Sequence, residues 1–294
     1  MAKLFGFVQF EFAGRLALAD GRYLAGPGNG EGEEEWVLVV KAVGTPAAPE
    51  RRRRRRGRSV EPDGEPKPLP VTRVTAIHAS SPLAGPADSA RWLDAACESE
   101  DRAEALAAEA IGPLNQALHV HAVSAENPRG RELSPEQAER ILIGYGSGEE
   151  TADGRFTDAR EVCLTPGSSS RRRRREEELR PQERVAGVLR GRERLDACET
   201  LLLRARADLD AGRVREAALQ LHVGLEALLV ELEGAVEDPG HVKDMATLGE
   251  QRLDVDVAAK AAIGGDLTGG QRAQVETLLG TCERVLRRRR VLRG

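Results

Sequence analysis

An alternation of apolar and polar side chains near the N-terminus predicts the first β-strand. Over residues 4–12, Val8, Phe10 and Phe12 fall on one face of an extended chain, while Gln9 falls on the other. A period of two residues is typical of a half-buried strand. Because the first half of this segment is apolar on both faces, we expect another element to cover its second face.

Other short apolar stretches predict further strands before residue 165. They lie at residues 15–18, 36–40, 71–79, 119–124 and 155–164. We expect Asp20-Gly21 to form a tight hairpin turn, since this pair tolerates the positive φ angles that such turns need. Residues 135–143 fit two interpretations, a helix that begins at Ser134-Pro135-Glu136 and a strand over Ile141-Leu142-Ile143.

Two helices are predicted between these strands, at residues 87–98 and 100–117. Ser99 is a suitable N-cap for the second helix, and the acidic Glu100 suits the positive end of its dipole. Proline lacks the N–H group that a helix interior needs, so we expect Gly112-Pro113 to kink or split this helix.

A helical period governs the last third of the chain. Apolar residues recur every three or four positions over 193–210 and 213–233, which predicts two amphipathic helices. The apolar stripe of the second helix comprises Val214, Ala218, Leu221, Leu225, Leu228 and Leu232. The short connection at Asp210-Ala-Gly212 predicts that the two helices are antiparallel. Further helices at 241–263 and 271–291 would complete a bundle.

Two segments of biased composition interrupt these patterns. Residues 45–70 combine six prolines with Arg51–Arg56, and residues 165–180 combine glycine and serines with Arg171–Arg175. Neither segment contains enough apolar surface to offset the entropy of ordering. We therefore expect a disordered insertion at the first segment and a linker at the second.

The positions of the aromatic residues support a division into two domains. All nine lie between Phe5 and Phe156, so a core beyond them has to be built from Leu, Val, Ala and Ile. Leucine and alanine suit packed helices. The predicted architecture is an α+β domain over 1–164, an Arg-rich linker over 165–180 and an all-α helical bundle over 181–294.

Composition excludes several classes of protein. The formal net charge is −4, whereas a dedicated nucleic-acid-binding protein is usually basic, so strong non-specific binding to DNA or RNA is not expected. The four scattered cysteines contain no CxxC pair and match no zinc pattern, so we predict reduced thiols and no metal site in a cytoplasmic protein. No segment approaches the about 20 apolar residues of a membrane helix, and no signal peptide is recognised.

One short sequence occurs twice. Ala19-Asp-Gly-Arg-Tyr23 is repeated as Ala152-Asp-Gly-Arg-Phe156. The match fits either two similar hairpins in one domain or two unrelated Asp-Gly turns. Because so short a match does not establish a repeat, the second interpretation is favoured.

A glycine-rich segment follows the apolar run at Ile141. Gly144, Gly146 and Gly148 could bring backbone N–H groups close to a phosphate. The segment lacks the Lys-Ser/Thr pair of a P-loop and the spacing of a dinucleotide-binding motif. A hairpin or flexible turn is therefore the favoured interpretation, and a phosphate-binding loop is the alternative.

Arg215 and His222 lie on one predicted helix of the bundle with six residues between them. This spacing places them within about 20° of one helix face and about 10 Å apart along the axis. The pattern resembles the Arg-x(4–6)-His motif of HEPN domains, four-helix-bundle proteins that include ribonucleases. The resemblance implies histidine as acid or base and arginine on the phosphate of RNA, at a site where two protomers meet. The alternative interpretation is a solvated Arg215 and a His222 at the edge of the apolar stripe.

Two histidines in predicted strands suggest another phosphate chemistry. His78 in Ile77–Ser80 and His121 in Val120–Ser124 resemble the paired His-x-Ser/Thr motifs of two-histidine phosphoesterases. In the second segment the serine is displaced by one residue, which directs it to the other face of a strand. Histidines packed beside a core are the favoured interpretation.

Three runs of arginine, at 51–56, 171–175 and 287–290, could bind the phosphates of RNA. Two of them lie in the segments expected to be disordered. Blocks of like charge are usually solvated, so low-complexity linker is the favoured interpretation of these runs.

Several segments together resemble an uncharacterised protein family of high-GC bacteria. They are Met1–Phe10, Gly144–Glu149 with Ala152–Phe156, and Ala217–Glu226. The family has no known activity, so the resemblance implies no catalytic residue.

The favoured function is therefore a non-catalytic interaction or adaptor protein with a protein partner. No cofactor is predicted, and the oligomeric state is left open. The first alternative is an RNA-binding or HEPN-like RNA-processing protein. The second is a small-molecule enzyme that uses Gly144–Gly148.

Overall fold

A computed structural model describes residues 3–25, 36–44, 70–163, 184–234 and 238–293 of the 294-residue chain. The chain divides into two compact units, residues 1–168 and 169–294. The predicted Arg/Pro-rich insertion at 45–70, apart from Pro70, and the predicted linker at 165–180 lie outside the described residues.

The N-terminal unit contains a six-stranded antiparallel sheet. Its strands are β1 Leu4–Ala13, β2 Gly21–Ala25, β3 Trp36–Val43, β4 Val71–Leu83, β5 Arg140–Ser147 and β6 Asp158–Val162. The order across the sheet is β2-β3-β4-β1-β5-β6, and every neighbouring pair is antiparallel. The first strand of the chain is therefore central, between β4 and β5.

The alternation in β1 is confirmed by the two faces of this strand. Val8, Phe10 and Phe12 belong to the larger core of the unit. Phe7 belongs to a smaller cluster on the other face together with Ala152 of α3, a short helix over Gly148–Ala152. The expected cover for the apolar first half of β1 is thus this short helix.

Helices α1 (Pro86–Ala96) and α2 (Glu100–Ser124) contribute buried side chains to the larger core. The predicted N-cap of α2 is confirmed, because the Ser99 hydroxyl accepts a hydrogen bond from the Arg102 N–H at 3.3 Å. The predicted end of this helix at residue 117 is wrong, since α2 continues to Ser124. A split at Gly112-Pro113 is also wrong, because Pro113 lies inside one helix.

The same continuation overturns the predicted strand at 119–124. Leu114 and Leu118 are buried one turn apart, whereas Val120 and Val123 are exposed, so the segment follows a helical period. Burial of Ile111 before Pro113 and of Leu114 after it offsets the backbone hydrogen bond that proline removes.

Residues 15–18, a predicted strand, are instead an irregular segment. The hydroxyl of Thr72 holds this segment on β4, because it accepts from the Leu16 N–H at 3.2 Å and donates to the Gly14 carbonyl at 2.8 Å. The positive-φ glycine near this point is Gly14 (φ 84°), not Gly21, so the predicted Asp20-Gly21 hairpin turn is wrong. Gly21 begins β2 instead.

The two copies of the five-residue repeat have different structures. Gly21 starts a strand, whereas Gly154 has φ 82° in the turn that follows α3. The coincidence of two unrelated Asp-Gly dipeptides, the favoured interpretation, agrees with this difference. The ambiguous residues 135–143 contain both predicted features, a 3₁₀ turn over Pro135–Gln137 and then β5.

The C-terminal unit is helical. Its longer helices are α4 Ala197–Asp210, α5 Val214–Glu231, α6 Pro239–Glu250, α7 Arg252–Gly264 and α8 Gly269–Arg293, after a short helical stretch at 184–189. One core of Leu, Ala, Val and Cys side chains joins them, as the aromatic-free composition predicts. Because Glu231 at the end of α5 binds the N–H groups that begin α4, these two helices are antiparallel, as predicted.

The single helix predicted over 241–263 is wrong, because the chain forms α6 and α7 with a break at Gln251. Gly249, a poor helix former, lies two residues before the break. Each helix buries its own set of side chains, with Leu248 on α6 and Val255 on α7 in the common core. Residues on both sides of the break at Gln251 therefore contribute to the same core.

Candidate functional site

Arg215 and His222 both lie on the side of α5 that faces α7. The exposed Arg215 donates from its Nε to the carbonyl oxygen of Ala262 at 2.9 Å, close to the C-terminal end of α7. A guanidinium at this end of a helix satisfies a terminal carbonyl and opposes the negative end of the dipole. The guanidinium group that the HEPN-like interpretation assigns to a phosphate therefore binds a backbone carbonyl of its own unit.

The charges next to His222 come from α7. The Lys260 ammonium donates to Asp256 at 2.6 Å and is the main cause that lowers the pKa of Asp256, and the nearby His222 and Arg252 act in the same direction. Arg252 also forms an ion pair with Glu226 of α5. His222 thus lies beside the ion pair between Glu226 and Arg252 that joins α5 to α7.

The glycines at 144–148 lie in regular structure and not in a loop. Gly144 and Gly146 belong to β5, which is paired on both sides, and Gly148 begins α3. A Cβ atom at Gly144 would lie 2.5 Å from the carbonyl oxygen of Asp158, and one at Gly146 would lie 2.6 Å from the Thr151 hydroxyl. Close packing of β6 and α3 against β5 explains the first two glycines.

The structure does not bring His78 and His121 onto two strands. His78 is on β4, where its ring stacks on the indole of Trp36 with the centroids 4.7 Å apart. His121 lies in the last turn of α2. The two motifs that resembled a phosphoesterase therefore belong to a strand histidine stacked on Trp36 and to a helical histidine, and not to two strands.

The arginine runs at 51–56 and 171–175 lie outside the described residues. In the third run, Arg288 forms ion pairs with Asp244 at 2.9 Å and Asp238 at 3.5 Å. Arg289, largely buried, pairs with Asp196 at 2.5 Å. These two arginines connect α8 to α6 and to the start of α4.

The cysteines of the bundle are poor nucleophiles. Burial raises the pKa of Cys198 to about 12, with Glu231 contributing, and burial raises the pKa of Cys282 to about 12. The reactive form of a cysteine is its thiolate, which is scarce at neutral pH when the pKa is so high. Among the described residues, no three His, Cys, Asp or Glu side chains are grouped closely enough to hold a metal ion.

A set of exposed apolar side chains on α5 and α7 was not identified from the sequence. We call it the α5–α7 apolar surface, and it comprises Leu219, Val223, Val230, Leu253 and Val257. On α5 these residues lie beside the row that contacts α7, outside the buried stripe. The sequence contains one indication of this surface, because these apolar residues lie outside the buried stripe, in a helix that is apolar over more than one face.

A basic pocket of about 190 Å³ in the N-terminal unit was also missed. Three arginines and one histidine line it: Arg15, His121, Arg129 and Arg131. Arg15 is more than 100 residues away from Arg129 and Arg131, and arginine is so abundant in this chain that no pattern distinguishes the three.

No protein-family model matches this chain, and neither a curated protein nor a solved structure is detectably similar to it. Within the described residues, no helix combines the length and the apolar character needed to cross a membrane.

Proposed function

We propose that this chain is a non-catalytic interaction protein of the cytoplasm that binds a protein partner through the α5–α7 apolar surface. The observation that carries the proposal is the exposure of large aliphatic side chains on two helices that pack together. Val223 is 53% exposed and Leu253 is 74% exposed. Exposed apolar side chains that form one contiguous patch are typical of protein–protein interfaces.

These side chains contribute little to the folded bundle. The buried stripe of α5 is formed by other residues, among them Leu221, Leu225 and Leu228, which are almost completely inaccessible. An outward helix face of a soluble bundle is normally polar. Apolar side chains on that face gain their burial only when a partner covers them.

The charges around the surface are largely neutralised within the unit. Glu226 pairs with Arg252, and Asp256 pairs with Lys260 at 2.6 Å. A partner would therefore meet aliphatic groups bordered by ion pairs, and we expect its affinity to depend weakly on salt.

The proposal is tested with the double variant Val223→Glu/Leu253→Glu. The tagged full-length chain is expected to capture a defined partner from an extract of the cells that naturally produce it. The double variant is expected to lose that partner. Val242→Glu is the matched control, because Val242 is 57% exposed on α6, outside this surface. A partner that the double variant retains, or that the control also loses, would contradict the proposed interface. Loss of self-association alone would identify a second copy of the chain as the partner.

An RNA-directed function is the second candidate. It is supported by the placement of Arg215 and His222 on the same side of α5, as the HEPN-like pattern requires. The RNA could also be bound by Arg51–Arg56 and Arg171–Arg175. The hydrogen bond from Arg215 to Ala262 favours the structural interpretation of the arginine, so this function ranks second.

A further inference from the structure

The basic pocket lies in the N-terminal unit where three segments meet. They are the last turns of α2, the irregular segment after β1 and the connection between α2 and β5. None of its lining residues is acidic, although acidic residues outnumber basic ones in the whole chain. The cavity therefore concentrates positive charge in a protein whose net charge is negative.

The three arginines of the pocket differ from the other arginines in their unit. Arg15, Arg129 and Arg131 form no ion pair with the residues that the structure describes. Every other described arginine between residues 3 and 163 does form one: Arg22, Arg73, Arg91, Arg102, Arg140, Arg155 and Arg160. Like charges around one cavity repel each other, and an anion bound among them would relieve that repulsion.

Hydrogen bonds hold the walls of the pocket in place. The Asn115 side chain on α2 donates to the Leu133 carbonyl at 2.9 Å and accepts from the Leu133 N–H at 2.8 Å. Thr72 fixes another lining segment through its bond with the Leu16 N–H at 3.2 Å. A cavity whose walls are held in this way loses little conformational freedom when a ligand binds.

The turn that carries Arg129 and Arg131 is also fixed on α2. The Asn127 N–H donates to the Ala122 carbonyl at 2.8 Å, and a Cβ atom at Gly130 would lie only 2.4 Å from the Cβ of Ala122. Gly130 thus allows the turn to approach the helix closely. The backbone between the two arginines is held against the end of α2, beside His121.

We propose that this pocket binds a small organic oxyanion, a molecule that carries phosphate or carboxylate groups on a short apolar skeleton. The planar guanidinium group donates paired hydrogen bonds to both kinds of oxyanion. Leu16, Leu118 and Leu133 supply the apolar part of the wall. The volume of about 190 Å³ lies below the about 300–1,000 Å³ of drug-sized sites, so the ligand is small.

The experiment is isothermal titration calorimetry of the full-length chain at constant ionic strength. The probes are glycerol 3-phosphate for phosphomonoesters, succinate for dicarboxylates, inorganic phosphate, and glycerol as the uncharged control. We expect one of the two organic anions to bind with a defined stoichiometry of one and glycerol not to bind. The anion that binds identifies the source of the oxyanion.

The variants Arg15→Gln and Arg131→Gln are each expected to weaken binding about tenfold or more, because each removes a charged donor. Arg91→Gln is the matched control, since Arg91 is exposed on α1 and paired with Asp88, outside the pocket. Absence of binding by both organic anions, or an equal loss in the Arg91 variant, would overturn the proposal. Binding of an RNA oligonucleotide in place of the small anions would overturn it as well.

This site is independent of the proposed protein interface, which lies in the other unit. Anion binding is expected to be unchanged in Val223→Glu/Leu253→Glu, and partner capture is expected to be unchanged in Arg131→Gln. Failure of one proposal can therefore be distinguished from failure of the other.

Discussion

Glu231, the last residue of α5, accepts a hydrogen bond from the backbone N–H of Cys198 at 3.0 Å, in the first turn of α4. Its second carboxylate oxygen accepts from the Ala197 N–H at 3.0 Å. One side chain thus satisfies two of the backbone donors that a helix start leaves free. The contact also fixes the end of α5 against the beginning of α4.

Replacing Glu231 with alanine is expected to cost about 0.5–2 kcal/mol, the range for loss of a helix cap. Glu231→Gln keeps oxygen acceptance at one position and is expected to cost less. Urea denaturation of the purified variants measures both effects. Equal stability of Glu231→Ala and the parent chain would show that this capping contact contributes nothing.

The same carboxylate predicts a loss of stability in acid. Desolvation opposes its ionisation, but hydrogen bonds from Cys198 and Ala197 hold the pKa of Glu231 below its usual value of 4.5. Because the folded-state pKa is lowered, the stabilisation is present above pH 4.5 and disappears as the pH falls toward the folded-state value. Between pH 6 and pH 3, the melting temperature is expected to fall less steeply for Glu231→Gln than for the parent chain.

Two leucine-to-alanine variants separate buried from exposed positions in the bundle. Leu225 is 1% exposed within the core of the C-terminal unit, and no aromatic side chain is present there to fill a cavity. Leu225→Ala is expected to cost about 2–5 kcal/mol. Leu253→Ala, at a largely exposed position, is expected to change stability by less than about 0.5 kcal/mol. Chemical denaturation measures the free energy of unfolding of both variants. Similar losses of stability at the two positions would contradict the assigned burial.

The glycines of β5 and α3 provide a matched pair in the sheet. A methyl group at Gly144 would lie within 2.7 Å of Asp158, Ala159 and Phe7, so Gly144→Ala is expected to destabilise by about 1–3 kcal/mol. At Gly148 the nearest atom is 3.5 Å away on Phe5, so alanine fits there. Thermal unfolding of both variants tests this contrast, and a Gly144→Ala protein as stable as Gly148→Ala would refute the close approach.

Alanine variants of Arg215 and His222 distinguish a structural role from a catalytic one. Arg215→Ala is expected to lower stability by about 0.5–1.5 kcal/mol, because the Ala262 carbonyl loses its partner. His222→Ala is expected to leave the thermal midpoint and any turnover of RNA unchanged. An RNase activity that disappears in His222→Ala at an unchanged midpoint would replace the interaction-protein proposal with the HEPN-like one.

Periodicity alone predicted the elements whose local pattern agrees with their tertiary environment. The alternation around Phe10 and the leucine stripe through Leu225 are of this kind. Pro113 and Gly21 are different, because tertiary contacts override their local preferences. Burial of Leu118 stabilises α2 beyond Pro113, and pairing with β3 places Gly21 in a strand. Local preference is a weak guide where tertiary contacts oppose it.

Neither the basic pocket nor the α5–α7 apolar surface could be recognised from the sequence alone. Arg15 and Arg131 meet at one cavity only because the sheet places the end of β1 beside the end of α2. Their sequence context is ordinary for this arginine-rich chain. Val223 is a typical residue of an apolar helix, and only the packing of α7 beside it shows that it remains uncovered.

The central position of β1 has a consequence for biosynthesis. Phe10 pairs with Val74 on one side and with Ile141 on the other, so this strand has to wait for both partners to be translated. Contacts between such distant segments slow folding, and an unpaired apolar strand is prone to aggregate in the meantime. During translation, β1 therefore lacks one of its two neighbouring strands until β5 has left the ribosome, whereas α4 and α5 can associate as soon as residue 231 is available.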